Sequence, residues 1–226
     1  MLFKEIEVSS LQNEKLHSYI ENLIPDRNLL LQEMEDFAKN HHVPIMELAG
    51  IETMLQLLRL QDSKKILEIG TAIGYSALRM VNALPEAKIV TIERDEERYA
   101  IAEAYISRSG KSEQILLIKG DALEVEGLVA GHAPFDAIFI DAAKGQYKRF
   151  FELYSKFLSP NGMIITDNVL FKGLVCEPEI ESKRTRNLVK KIDDFNRWLM
   201  SHPDYDTVIL PVGDGVAISK RRGEKE

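Results

Sequence analysis

The stretch Lys64-Lys65-Ile66-Leu67-Glu68-Ile69-Gly70-Thr71-Ala72-Ile73-Gly74-Tyr75-Ser76 decides the fold class of this 226-residue chain. Its apolar run reads as a buried strand that breaks at glycine and passes straight into a helix. Such a turn lets a ligand lie against bare backbone, because glycine has no side chain to block the approach. Glu68 is expected at the end of the strand, facing the same crevice. A carboxylate there repels a phosphate and suits a cationic or amine-bearing ligand. The residues point to S-adenosylmethionine, with its sulfonium and amino group, rather than to a dinucleotide. The spacing agrees: Gly70-x-x-x-Gly74 carries Ala72 where the dinucleotide fingerprint needs the glycine that admits the pyrophosphate.

The bulk numbers fit this reading. A chain of this length forms one α/β domain with a sizeable core, and 45% hydrophobic with 29% charged residues is ordinary for a globular protein. Residues 1–226 are expected to form a single domain with an N-terminal helical extension over about 1–60. No apolar run approaches the roughly 18 residues of a membrane span, and Met1 to Ser10 has acidic residues and no apolar signal-peptide core. A single cysteine, Cys176, excludes an internal disulfide and suits a reducing, cytoplasmic location. The net charge of −7 argues against broad non-specific nucleic-acid binding but leaves room for a local basic patch.

The first sixty residues lack strand signals. Leu16, Tyr19, Ile20 and Leu23 stand at helical spacing before Pro25. Asp26 is placed to cap a second helix with Leu30, Met34 and Phe37 on one stripe, and Pro44 separates it from a third over about Glu47–Leu60. Strands then alternate with helices. Strands are expected at Lys65–Ile69, Lys88–Glu93, Ile115–Lys119, Ala137–Ile140, Met163–Thr166, Thr207–Leu210 and Val216–Ser219, and helices at Tyr75–Ala83, Glu96–Ser107, Gln146–Phe157 and Arg186–Met200. This alternation implies a mainly parallel sheet with helices on both faces. Only Pro211-Val212-Gly213-Asp214-Gly215 separates the last two strands, too short for a crossover, so they form an antiparallel hairpin. The architecture matches a class I methyltransferase Rossmann-like fold: a seven-stranded, mainly parallel sheet with an antiparallel last strand.

Ligands in such sheets bind outside the carboxyl ends of the strands, where Glu68, Glu93, Asp121 and Asp141 recur. Glu93 lies where an acid would hold ribose hydroxyls. Asp121 and Ala122 could contact adenine, and Ser76, in the first helical turn, could take a carboxylate. Each acid alone could equally cap a helix; four at successive strand ends favour a shared crevice. If the fourth and fifth strands are neighbours, Asp141, Asp167 and Asn168 meet at one rim. Two carboxylates and an amide oxygen suit Mg²⁺, with Mn²⁺ or Ca²⁺ also accommodated. Asp167-Asn168 alone reads as a turn signal; Asp141 beside it favours the metal. Lys144 could orient a substrate or act as general base, the alternative being a solvated lysine beside Lys148 and Arg149. His41 and His42 have no paired ligand spacing, and nothing resembles a nucleophile elbow.

Taken together, Glu68 to Ser76, Thr91-Ile92-Glu93, Asp141 with Lys144, and Asp167-Asn168 resemble the metal-dependent O-methyltransferases related to catechol and caffeoyl-coenzyme A methyltransferases. The resemblance covers nearly the whole chain. It implies metal ligands at Asp141, Asp167 and Asn168. Cofactor contacts are implied at Met46 or Ile45 and at Glu68, Gly70, Ser76, Glu93, Asp121, Ala122 and Asp141, with Lys144 taking the proton. His41 to Glu47, Asp141 to Tyr147 and Asp167 to Gly173 further resemble the bacterial tRNA 5-hydroxyuridine methyltransferases. That likeness implies methylation of the wobble base to 5-methoxyuridine in a single-stranded anticodon loop. Lys183-Arg184-Thr185-Arg186 with Lys190-Lys191, extended by Lys144, Lys148, Arg149 and Lys172, could face RNA, with Phe171 and Tyr147 to stack on a base. A solvated helix face is the plainer account of the same charges, and Glu177, Glu179 and Glu181 precede them. A small catechol-like substrate, or a non-catalytic interaction protein that keeps the fold, remain the alternatives. The N-terminal helices are expected to form a homodimer surface.

Overall fold

The computed structural model describes residues 10–223, with side chains from residue 15 onward. Three helices open the chain: α1 (Ser10–Leu23), α2 (Leu29–Asn40) and α3 (Leu48–Leu60). An alternating body follows: β1 (Lys65–Ile69), α4 (Tyr75–Ala83), β2 (Lys88–Glu93), α5 (Glu96–Arg108), β3 (Ile115–Lys119), the short α6 (Glu126–Ala130), β4 (Phe135–Ile140), α7 (Tyr147–Tyr154) and β5 (Leu158–Thr166). Helix α8 (Lys183–Met200) and the hairpin β6 (Tyr205–Leu210) and β7 (Val216–Arg221) complete it. All seven strands join one sheet in the order β3-β2-β1-β4-β5-β7-β6. The first five run parallel, and β7 is antiparallel to both β5 and β6. The reversed strand therefore lies one place in from the edge. Chain order turns back between β1 and β4, which makes their carboxyl ends the topological switch point. No described helix is long and apolar enough to cross a membrane.

Two cores sandwich the sheet. Met34, Met54, Leu58, Met80 and Ile66 fill the face under α2, α3 and α4, while Phe135, Ile138, Phe151, Tyr154 and Leu199 fill the face under α7 and α8. Strand alternation assigns the sides: on β1, Ile66 belongs to the first core and Leu67 and Ile69 to the second. Glu68 consequently points to the first face, under α4.

Several boundaries differ from the sequence expectation. Asn28, not Asp26, caps α2: its side chain accepts from the Leu31 N–H at 3.0 Å. Asp26 stands two residues too early. The helix expected over Gln146–Phe157 is broken into α7 between 3₁₀ turns at Lys144–Gln146 and Ser155–Phe157. Strand β5 starts at Leu158, because Pro160-Asn161-Gly162, a turn signal in sequence, is carried within it through a register shift opposite Phe135 and Ala137. Helix α8 begins at Lys183, capped by Ser182. Helix α6 and the 3₁₀ segment Phe171–Cys176 have no periodic signal and were not foreseen.

The cap assignment has a direct check by urea unfolding. Asn28→Ala is expected to cost about 1 kcal/mol, and Asp26→Ala less than about 0.5 kcal/mol; the reverse order would return the cap to Asp26.

Candidate active site

A cavity of about 500 Å³ opens over the carboxyl ends of β1, β2, β3, β4 and β5. Its floor is level because backbone hydrogen bonds continue past the strands. Gly120 N–H donates to Glu93 O, Gly70 N–H to Ile92 O, Asp141 N–H to Ile69 O and Asp167 N–H to Ile140 O, all at 2.9 to 3.1 Å. Gly70 has φ 100°, and a Cβ there would collide with the Asp141 carbonyl. The glycine is thus required by the close passage of two backbones as well as by any ligand above it.

Of the residues singled out in sequence, Met46, Gly70, Glu93, Asp121, Ala122, Asp141, Lys144, Asp167 and Asn168 line this cavity. Glu68 and Ser76 do not. Glu68 is the last but one residue of β1, so its side chain turns under α4, fully buried, and accepts bonds from Ser76 Oγ and, at 2.5 Å, from Thr91 Oγ1. The expectation that Glu68 faces the crevice is corrected: it braces the turn from below, together with Ser76. Burial pushes its carboxyl up to about 7, against the pull of the Ser76 and Thr91 bonds. Glu93 is the acid at the cavity surface. Its Oε2 accepts the Ala72 N–H at 2.8 Å and its Oε1 accepts those of Arg94 and Asp95, so it also fixes the left-handed Ala72 (φ 48°). Asp121 accepts the Leu123 N–H at 2.9 Å and pairs with Arg94 at 3.3 Å.

Strands β4 and β5 are neighbours, with Ile140 opposite Thr166. The next residues, Asp141 and Asp167, therefore stand side by side. Burial pushes Asp141 up to about 6; nearby Lys144 opposes this and Asp214 adds to it. Asp167, only 2% exposed, is pushed well up by burial and then by the Asp141 charge. Asn168, at φ 58°, donates to Asp167 Oδ2 at 3.0 Å, while Lys144 Nζ donates to Asn168 Oδ1. Among the described residues no group of three or more His, Cys, Asp or Glu side chains is arranged to hold a metal ion. The donor set here is two carboxylates and an amide. Its chemistry fits a hard divalent cation: two carboxylates at adjacent strand ends, Asp167 buried and Asp141 partly so, with one lysine close by.

Sequence reasoning missed Asp214. It sits in the β6–β7 turn, lines the cavity and raises both Asp141 and Asp167; between two glycines it looked like turn chemistry. Glu47, Arg94 and Arg98 were missed in the same way. Phe171 (φ 46°) and Lys172 (φ 55°) line the mouth on a segment held by the Asp214 carbonyl, which accepts from Leu170 and Phe171. Tyr147 cannot stack on a base: it is 1% exposed and donates to the Asp167 carbonyl at 2.9 Å. On α8, Lys183 and Arg184 are exposed, and Lys191 reaches beside Gly145. Arg186 instead donates to the Ile180 and Glu181 carbonyls. His41 stacks on Phe37, and neither His41 nor His42 lines the cavity.

The sequence profile of a family described as O-methyltransferase matches residues 21–222. Caffeoyl-CoA O-methyltransferase 1 of Arabidopsis thaliana is 31% identical over 226 residues, covering 94% of this chain and 86% of that protein. Catechol O-methyltransferase of Niastella koreensis is 35% identical over 174 residues, 73% of this chain and 77% of its own length. The structure of a Podospora anserina methyltransferase with bound SAH superposes with a TM-score of 0.83 at 26% identity, covering 98% of this chain and all of that one.

The buried Glu68 gives a pH test. Its pKa is higher folded (about 7) than in its ordinary state (4.5). The folded chain therefore binds the extra proton between those values, and stability falls as pH rises through that window. The loss is on the order of 3 kcal/mol and complete above about pH 7. Glu68→Gln removes it, so the variant is expected to gain on the wild type in urea midpoint at pH 8 relative to pH 5. Parallel midpoints at both pH values would contradict the assignment.

Proposed function

Because the chain belongs to the O-methyltransferase family, whose S-adenosylmethionine-dependent chemistry it shares, we propose that its acceptor is 5-hydroxyuridine at the wobble position of tRNA. The observation that carries this reading is the mouth. Phe171 and Lys172 line the cavity, with Lys144 Nζ 5.9 Å from the centre of the Phe171 ring. Lys183, Arg184 and Lys191 are exposed on α8, and neither they nor Lys172 make an ion pair among the described residues. An aromatic ring at the cavity, with unpaired, exposed cations on the last helix, suits a splayed base and a phosphate backbone. The sequence likeness at His41–Glu47, Asp141–Tyr147 and Asp167–Gly173 supports the same acceptor. A small catechol or caffeoyl-CoA acceptor is the second reading, favoured by the named relatives. Both acceptor classes present two vicinal oxygens.

In this reading Met46, Gly70, Glu93, Asp121, Ala122 and Asp141 bind the cofactor, with Glu93 on ribose hydroxyls and Asp121 and Ala122 beside adenine. Glu68 and Ser76 act beneath them by holding the turn. Bound S-adenosylmethionine supplies the methyl electrophile. Asp141, Asp167 and Asn168 would hold Mg²⁺, which when bound makes an acceptor hydroxyl more acidic. Lys144 releases Asn168 Oδ1, and the acceptor's proton leaves to the amine form of Lys144 or to water. Tyr147 fixes the Asp167 backbone through its carbonyl, and the Asp214 carbonyl holds Leu170 and Phe171 at the mouth. Phe171 covers the mouth and excludes water, so the acceptor oxygen is held in line with the methyl group. The enzyme works as a homodimer in the cytoplasm. Leu16, Tyr19, Ile20 and Leu23 on α1 are 43 to 64% exposed and supply an apolar face for the second copy, which light scattering tests.

Three measurements bear on this. Asp167→Ala should lower turnover roughly a hundredfold, and EDTA should do the same to the wild type; full turnover of the variant in EDTA would remove the metal from the reaction. Anticodon stem-loops carrying 5-hydroxyuridine should be preferred over catechols, and a clear preference for catechols would transfer the assignment to the second reading. Replacing Lys183, Arg184 and Lys191 by alanine should abolish RNA turnover while sparing catechol turnover.

A further inference from the structure

A partly buried polar network that the chemistry does not use spans α2, α3 and α4. Arg27, just before α2, donates through Nε and Nη2 to both oxygens of Glu35, each at 2.7 Å. Tyr75 OH donates to Glu35 Oε1 at 2.5 Å and accepts from Arg79 Nη1 at 2.7 Å. The other Arg79 nitrogen, Nη2, pairs with Glu52 on α3. Tyr75 is 2% exposed and Arg79 6%. Arg79 is buried and Arg27, Glu35 and Glu52 are partly buried, which is costly for charged groups unless each is paired and hydrogen-bonded, as these are.

The placement gives the network a task. Tyr75 is the first residue of α4, directly after Gly74, and Ser76 beside it is bonded to Glu68 under the glycine turn. Helices α2 and α3 flank the loop 41–47, whose Pro44, Ile45, Met46 and Glu47 form one wall of the cavity. Among the described residues, no hydrogen bond joins 44–47 to the turn 70–76 directly. Every side-chain hydrogen bond from α2 or α3 to α4 belongs to this network. The network is the polar connection between the wall and the floor of the cavity, beside the apolar packing of Met46 with Ile73 and Tyr75 in one core. Among the described residues, the Tyr75 hydroxyl is the hydrogen-bonded link between its Glu35 and Arg79 halves.

We propose that Tyr75 and Glu35 are positioning residues for the cofactor: their hydrogen bond holds the wall at 44–47 at a fixed distance from the glycine turn and so sets the fit of the adenosyl-methionine half of the cavity. The inference rests on the family's use of S-adenosylmethionine and is independent of the acceptor. Loss of one buried charge-assisted hydrogen bond, expressed fully in binding, corresponds to about a tenfold change.

Calorimetric titration of the full chain with S-adenosylhomocysteine tests this without any methyl acceptor. Tyr75→Phe, which keeps the ring and removes only the hydroxyl, is expected to weaken binding about tenfold. Glu35→Gln should do the same, and the double variant should lose no more than either alone. Arg108→Ala, which removes the surface pair with Glu33 on the same helix α2, should bind as the wild type does. An unchanged dissociation constant in Tyr75→Phe, with or without a lower melting temperature, overturns the proposal, because a purely structural role moves only the latter. An equal loss in Arg108→Ala overturns it too. Should Glu35→Gln fail to fold, the Tyr75→Phe titration decides alone.

Discussion

The site depends on one constraint: five neighbouring parallel strands must end at the same height. Each first residue after a strand donates its N–H to the last or last-but-one carbonyl of the strand beside it, from Gly120 through Gly70 and Asp141 to Asp167. Gly70 and the Asp141 carbonyl pass so closely that no side chain fits between them. With the strand ends stitched in this way, the side chains that follow converge without further adjustment. Glu93, Asp121, Asp141 and Asp167 share a cavity because their backbones share a hydrogen-bond ladder.

That convergence works against the stability of the folded chain. Glu68, Asp141 and Asp167 are all pushed above the ordinary carboxylate range by burial, and the last two also feel each other or Asp214. The ladder and the two cores offset this strain, since the strands that end at the acids are largely buried. Strand β1 alone contributes Ile66, Leu67 and Ile69 at 0% exposure. A rigid scaffold bearing mutually repelling groups is a frequent arrangement at sites that bind cations.

Strand boundaries β1, β2 and β3 were legible to the residue, because apolar runs there stop at glycine or at a charged rim. The meeting of Asp141 with Asp167 and Asn168 was legible once β4 and β5 were taken as neighbours. What sequence could not give was side. Glu68 differs from Glu93 only in standing one residue short of its strand's end, and in a strand that single step turns a side chain from the rim to the core. Asp214 was hidden by its own glycine neighbours, since Gly-Asp-Gly carries the same signal whether the aspartate faces solvent or a cavity. Asp26 and Asn28 are both good capping residues, and only the path of the chain through Pro25 chose between them.

The position of β7 bears on the order in which the protein can be assembled. Strand β6 is made before β7 yet touches the sheet only through it. While the chain is still emerging from the ribosome, the outer side of β5 stays open and β6 has no place to dock. Asp214 and the carbonyl that holds Leu170 and Phe171 arrive with the same hairpin. A nascent chain can thus complete the glycine turn and most of the cofactor wall early, but the lip over the acceptor is finished only when the final strand threads between its two neighbours. Until then a growing chain exposes a sheet edge that chaperones, or other nascent chains, can occupy.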